Sequence, residues 1–142
     1  MMLRHLAAGI LLTTTVMLGQ AANINRRMKF ASNPFSLGVA SGDANSTSVV
    51  LWTRLAPKPL DPDGGMPNLG VPVQWRLATD DGMQNIAASG QQLATPQLGH
   101  SIHVTAGQLK PDTWYWFQFS VNGEESVVGR TRTMPARFAN PL

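Results

Sequence analysis

Residues 113–121, TWYWFQFSV, restrict the fold more than any other stretch of the chain. Aromatic and β-branched side chains crowd a helix but suit a pleated strand. Asn122-Gly123 follows at once, and a second strand-like run, VVGRTRT at 127–133, comes after it. Asn-Gly supplies the left-handed backbone pair of a two-residue hairpin turn, so the chain is expected to fold back on itself there. With a period of two, Tyr115, Phe117, Phe119 and Val121 share one face, and a face of that size needs a second sheet to bury it.

The remaining segments fit the same plan. SVVLWTR at 48–54 reads as a strand that is apolar on both faces. VPVQWRLA at 71–78 alternates, with Val71, Val73, Trp75 and Leu77 on one side. A weak short strand is expected at 86–89 and another at 100–105, HSIHVT. The apolar run 35–39 is closed by a turn signal, Ser41-Gly42-Asp43. Between the strands lies APKPLDPDGGMPNLG at 56–70, whose prolines and glycines exclude a helix or a central strand. Unstructured connections of that length are uncommon and often functional. With 10 Pro, 13 Gly and only 13% charged residues, the composition favours short strands joined by turns. The count comes to about seven strands, the pattern of a β-sandwich. Trp52 and Trp75 are expected in its core with Phe117 and Phe119.

Leu109-x-Pro111-x-Thr113-Trp114-Tyr115 sharpens this reading. It resembles the tyrosine corner of immunoglobulin and fibronectin type III-like domains, where a Tyr near the start of a strand returns its hydroxyl to upstream backbone. The resemblance implies structural roles for Leu109, Pro111 and Tyr115.

Residues 1–21 read as a secretory signal, with Arg4, an apolar stretch, and small residues at Gly19 and Ala21 before the cleavage point. The apolar stretch is short of the roughly 20 residues that span a membrane, so the expectation is an exported protein without a stable membrane span. Arg26-Arg27 follows the apolar stretch and does not serve as a twin-arginine signal. Residues 22–34 are expected to be an irregular tether, 35–135 the sandwich, and 136–142 the start of a linker. The chain has no cysteine, which excludes disulfides and thiolate chemistry. A net charge of +3 is too small to argue for a nucleic-acid partner.

Five blocks carry a wider resemblance: NPFSLGVASGD at 33–43, SVVLWTRLAP at 48–57, VPVQW at 71–75, HSIHV at 100–104 and GRTRT at 129–133. In this order they resemble the N-terminal domain of the alkaline phosphatase D family. The resemblance implies an accessory domain that precedes a metallophosphatase domain in exported phosphomonoesterases or phosphodiesterases using iron and calcium. It places the metal ligands beyond the segment present here, so this chain is expected to bind no cofactor and to be inactive alone, as a domain truncated before its catalytic partner. The leader departs from the twin-arginine type common in the family. An exported fibronectin-like module binding carbohydrate or protein is the alternative reading, and the accessory domain of a purple acid phosphatase a further one.

No catalytic or metal-binding residue is assigned. Two-metal phosphoester chemistry needs several His, Asp and Asn side chains converging on the ions. His100 and His103 are three apart on an expected strand and point to opposite faces. Asp43 sits in a turn signal, and Asp61, Asp63, Asp80 and Asp81 lack the spacing of a calcium loop. What remains is surface. Trp114 and Trp116 lie opposite the Tyr115 face, and Arg130 and Arg132 share a face of the return strand. Exposed aromatic and Arg clusters are enriched at interfaces, so these residues and the loop 56–70 are candidates for docking on a catalytic domain. Equally, that loop could fold over the two indoles and cover them.

Overall fold

The computed structural model describes residues 28–136. The expected leader, residues 22–27 and residues 137–142 lie outside the described residues. Two antiparallel sheets enclose one core. The first has the order β1 (Val39–Gly42), β2 (Val49–Arg54), β5 (Ser101–Ala106). The second has the order β4 (Ile86–Ala94), β3 (Val71–Ala78), β6 (Trp114–Val121), with β7 (Glu124–Glu125) and β8 (Gly129–Arg132) both pairing with β6. β7 and β8 are two pieces of a single return strand, so the fold is an all-β sandwich of seven strands. A 3-10 turn, Pro96–Leu98, joins the sheets between β4 and β5.

Side-chain alternation builds the core. Val49, Leu51 and Thr53 of β2 and Ile102 and Val104 of β5 face Val71, Val73 and Leu77 of β3 and the aromatic face of β6. Phe117 and Phe119 are fully buried and meet edge to face, 6.2 Å apart at 87°. Burial of each such side chain is worth roughly 1.5–3 kcal/mol. Trp75 is half-buried and packs against this cluster.

Trp52 corrects the sequence reading. It is 45% exposed on the outer face of the first sheet and stacks on His103, ring centroids 6.0 Å apart. Both faces of 48–54 are apolar, so composition leaves the parity open; the structure turns Val49, Leu51 and Thr53 inward, which puts Trp52 outside.

Two strand boundaries also differ. β1 begins where the apolar run was expected to end, because residues 35–38 form a turn in which Gly38 N–H donates to Phe35 O at 2.9 Å. β4 runs through Gly90 to Ala94, well past Ser89. Gly90 does not break the strand: a Cβ there would lie 2.8 Å from the Trp75 indole nitrogen, so the missing side chain makes room for the ring. Residues 28–34 form no strand, yet Met28 and Phe30 pack against the core and Asn33 donates to Glu125 O at 3.0 Å.

Candidate docking surface

β6 and β8 bring the four sequence-derived surface candidates together. Their register sets Trp114 opposite Arg132 and Trp116 opposite Arg130, all on the side of the sheet away from the core. Trp114 is 43% exposed and contacts both guanidiniums, with Arg130 Cζ 4.5 Å and Arg132 Cζ 5.3 Å from its ring centre. Trp116 is half-buried beside Ala78 of β3. Arg132 also pairs with Asp112 at 2.6 Å, both side chains about half exposed. Exposed cation–π contacts contribute about 0.5–1 kcal/mol each, and an exposed ion pair about 0–1 kcal/mol. The fold therefore gains little from the cluster.

The loop after β2 neither joins nor covers this patch. Lys58 N–H donates to Gly64 O at 2.8 Å within the loop, and His100 Nε2 lies 3.0 Å from Leu69 O, two residues before the start of β3. Trp114 lies beyond the other end of β3, since Ala78 pairs with Trp116. The length of β3 separates them by about 20 Å at the usual strand rise. The loop buries Met66 in the core and lines a cleft of about 400 Å³ with Arg54, Pro96 and His100.

The corner before β6 sits beside the patch. Tyr115 is 2% exposed, Leu109 joins the core, and Pro111 lies on the surface next to Asp112, which takes φ +50°. The last described residues lie here. Asp112 N–H donates to Met134 O at 3.0 Å and Met134 N–H to Asn45 O at 2.9 Å. Asp112, Arg132, Thr133, Met134 and Pro135 line a shallow cleft of about 300 Å³.

The profile of the family described as PhoD-like phosphatase, N-terminal domain, matches residues 19–135. The chain belongs to that family. It is 48% identical to alkaline phosphatase D of Bacillus subtilis (strain 168) over 134 residues, which is 94% of this chain and 23% of that protein. A solved structure of PhoD superposes with a TM-score of 0.77 at 51% identity, covering 80% of this chain and 22% of the other. The chain thus spans less than a quarter of the length of these relatives. A human fibronectin type III domain, from the KIAA0970 protein, superposes at TM-score 0.50 with 13% identity and covers 98% of this chain; that likeness concerns the fold alone.

Within this PhoD-like N-terminal domain, the residues do not fit the iron and calcium implied by the resemblance. No three of His, Cys, Asp or Glu gather among the described residues. His100 precedes β5, is 3% exposed and holds the loop through Leu69, whereas His103 stacks on Trp52 outside the sheet. Asp63 is occupied by Gly65 N–H at 2.7 Å. Asp80 accepts from Gln84 N–H at 3.0 Å and Asn85 N–H at 2.7 Å; these bonds, the Gln84 one foremost, hold its carboxyl below the ordinary range.

Sequence reasoning missed two residues that organise this hairpin. Thr133 is buried; its hydroxyl donates to Lys110 O at 2.6 Å and accepts from Thr113 N–H at 3.0 Å. Ser126, also buried, sits where the return strand bulges between β7 and β8, and its Oγ accepts from Phe119 N–H at 3.0 Å. Threonine and serine side chains replacing strand partners leave no signal in hydrophobic periodicity.

Proposed function

We propose that this chain acts as a non-catalytic N-terminal accessory domain of an exported alkaline phosphatase D-type phosphoester hydrolase. Trp114, with Trp116, Arg130 and Arg132, docks it on the catalytic part of such a protein. The observation that carries this reading is exposed Trp114 in contact with two arginines, beside the last described residues, Met134–Ala136. Aromatic and Arg side chains are the anchors that interfaces use most. Placement next to Met134–Ala136 keeps the linker to a catalytic partner short and its effective concentration high. The scattered imidazoles and carboxylates give the domain no chemistry of its own, and iron and calcium belong with the partner.

The test uses this chain and, separately expressed, the part of Bacillus subtilis alkaline phosphatase D that follows its matching segment. The chain alone is expected to leave p-nitrophenyl phosphate unchanged with iron and calcium supplied. Isothermal titration is expected to show binding between the two parts, weakened at least tenfold by Trp114→Ala. Turnover by the chain alone, or binding indifferent to Trp114→Ala, would refute the proposal. The stacked pair Trp52 and His103 favours a second reading, an exported module that binds carbohydrate or protein on its first sheet. That reading gains if Trp52→Ala, and not Trp114→Ala, abolishes binding.

A further inference from the structure

β4 is the longest strand among the described residues, and β3 is its one strand partner. A strand at a sheet edge leaves alternate backbone N–H and C=O groups facing outward with no strand to bond. Proteins guard such edges with charge, proline or brevity. Two of the other edges of this sandwich are guarded, while β5, the far edge of the first sheet, also lacks charge and proline but is shorter, with 6 residues. β1 has 4 residues, and the return strand carries Glu124, Glu125, Arg130 and Arg132. β4, IAASGQQLA, has neither charge nor proline over its 9 residues and is exposed along most of them. The bulge opposite Leu77 and Ala78 disturbs only its first turn of pairing; Ala88 to Ala94 keep one register with β3.

We propose that β4 pairs antiparallel with β4 of a second copy of this chain, about a two-fold axis at Gly90. A two-fold contact is isologous, so each residue must suit a neighbour from the same strand. With the axis at Gly90, Gly90 meets Gly90, Ser89 meets Gln91 and Ala88 meets Gln92. No like charges are brought together, because the strand has none. Gln91 already accepts from Gln74 Nε2 at 2.6 Å, which leaves its own amide N–H groups to donate to Ser89 of the second copy. Gly90 closes the centre without a side chain of its own, the Trp75 indole filling that space from inside the sandwich. β3 lies between β4 and β6, the strand that carries Trp114, so this contact is independent of the docking surface and leaves it open.

The experiment is sedimentation velocity over a dilution series, on the chain with and without residues 1–21 so that the apolar leader is not the cause of association. The mass of the unaltered chain is expected to rise towards twice the monomer in both forms. Ser89→Lys with Gln91→Lys sets lysine against lysine on both sides of the axis, and the dimer is expected to be lost. Ser89→Lys with Gln91→Glu sets lysine against glutamate, and the dimer is expected to return. These are exposed strand positions, and circular dichroism checks that both variants fold. A chain that stays monomeric at every concentration overturns the proposal. So does a dimer that the two charge variants keep alike or lose alike.

Discussion

The backbone N–H of Lys110 donates to the Tyr115 hydroxyl at 2.9 Å, so the one tyrosine of the chain is an acceptor at this corner. The hydroxyl satisfies a backbone donor in the loop that precedes its own strand. Tyr115→Phe keeps the buried ring and removes the oxygen. The Lys110 N–H then loses its partner, at a cost of about 1–3 kcal/mol if water does not reach it. Urea denaturation of the two proteins checks this, and an unchanged midpoint would show that the bond contributes nothing.

Thr133, just past the end of β8, grips the same corner through Lys110 O and Thr113 N–H. Thr133→Val is expected to destabilise by about 1–3 kcal/mol, because it strands buried polar backbone. Groups that share one hydrogen-bonded loop couple by about 0.5–3 kcal/mol. The double variant with Tyr115→Phe is therefore expected to depart from additivity, measured as a double-mutant cycle in urea.

Most of the fold was legible in the sequence, and the exceptions share a cause. β3 has the bounds its alternation indicated, and the Asn122-Gly123 turn joins Val121 directly to Glu124. Periodicity identifies a strand wherever one face is polar. It loses the inward face where both are apolar, as at Val50 and Trp52, and it loses the strand where small residues pack under an aromatic ring, as at Gly90. The surface candidates on β6 and β8 followed from alternation alone. The place of the loop 56–70 did not, because it depends on contacts between residues far apart in the chain, such as His100 with Leu69, Ala56 with Pro34, and Met66 with the core.

Two glycines lie beneath aromatic rings, and they are expected to differ. A Cβ at Gly129 would fall 2.4 Å from Phe117 Cζ, and Phe117 is buried with no room to shift. Gly129→Ala is expected to cost about 1–3 kcal/mol or more by overpacking. At Gly90 the neighbour is Trp75, half-buried and able to give way, so Gly90→Ala is expected to cost less. Thermal melts of both variants test the order; a reversed order would mean that Phe117 is the looser ring.

Trp52→Ala is expected to cost well under the roughly 3–5 kcal/mol of a buried aromatic truncation, close to the ±0.5 kcal/mol of a surface change. Phe119→Ala, on the face opposite in parity and fully buried, is expected to cost that full amount. Equilibrium denaturation of the pair checks the parity of β2 directly, since a costly Trp52→Ala would require the indole to lie inside.

Asp80 ties the turn between β3 and β4 to the backbone of Gln84 and Asn85, and its carboxyl is held below the ordinary value of 3.8. The charged form is the better acceptor for those amides, so folding favours the carboxylate. A carboxyl lowered in the folded state contributes stability that is complete above its unfolded value and disappears as the pH falls through the folded one. The loss is therefore expected below about pH 4, with the protein insensitive to Asp80 protonation near neutrality. Asp80→Asn keeps one acceptor oxygen but cannot ionise. Urea midpoints for the two proteins are expected to differ at neutral pH and to converge on acidification, and parallel curves down to pH 2–3 would show that the unfolded turn holds the carboxylate equally well.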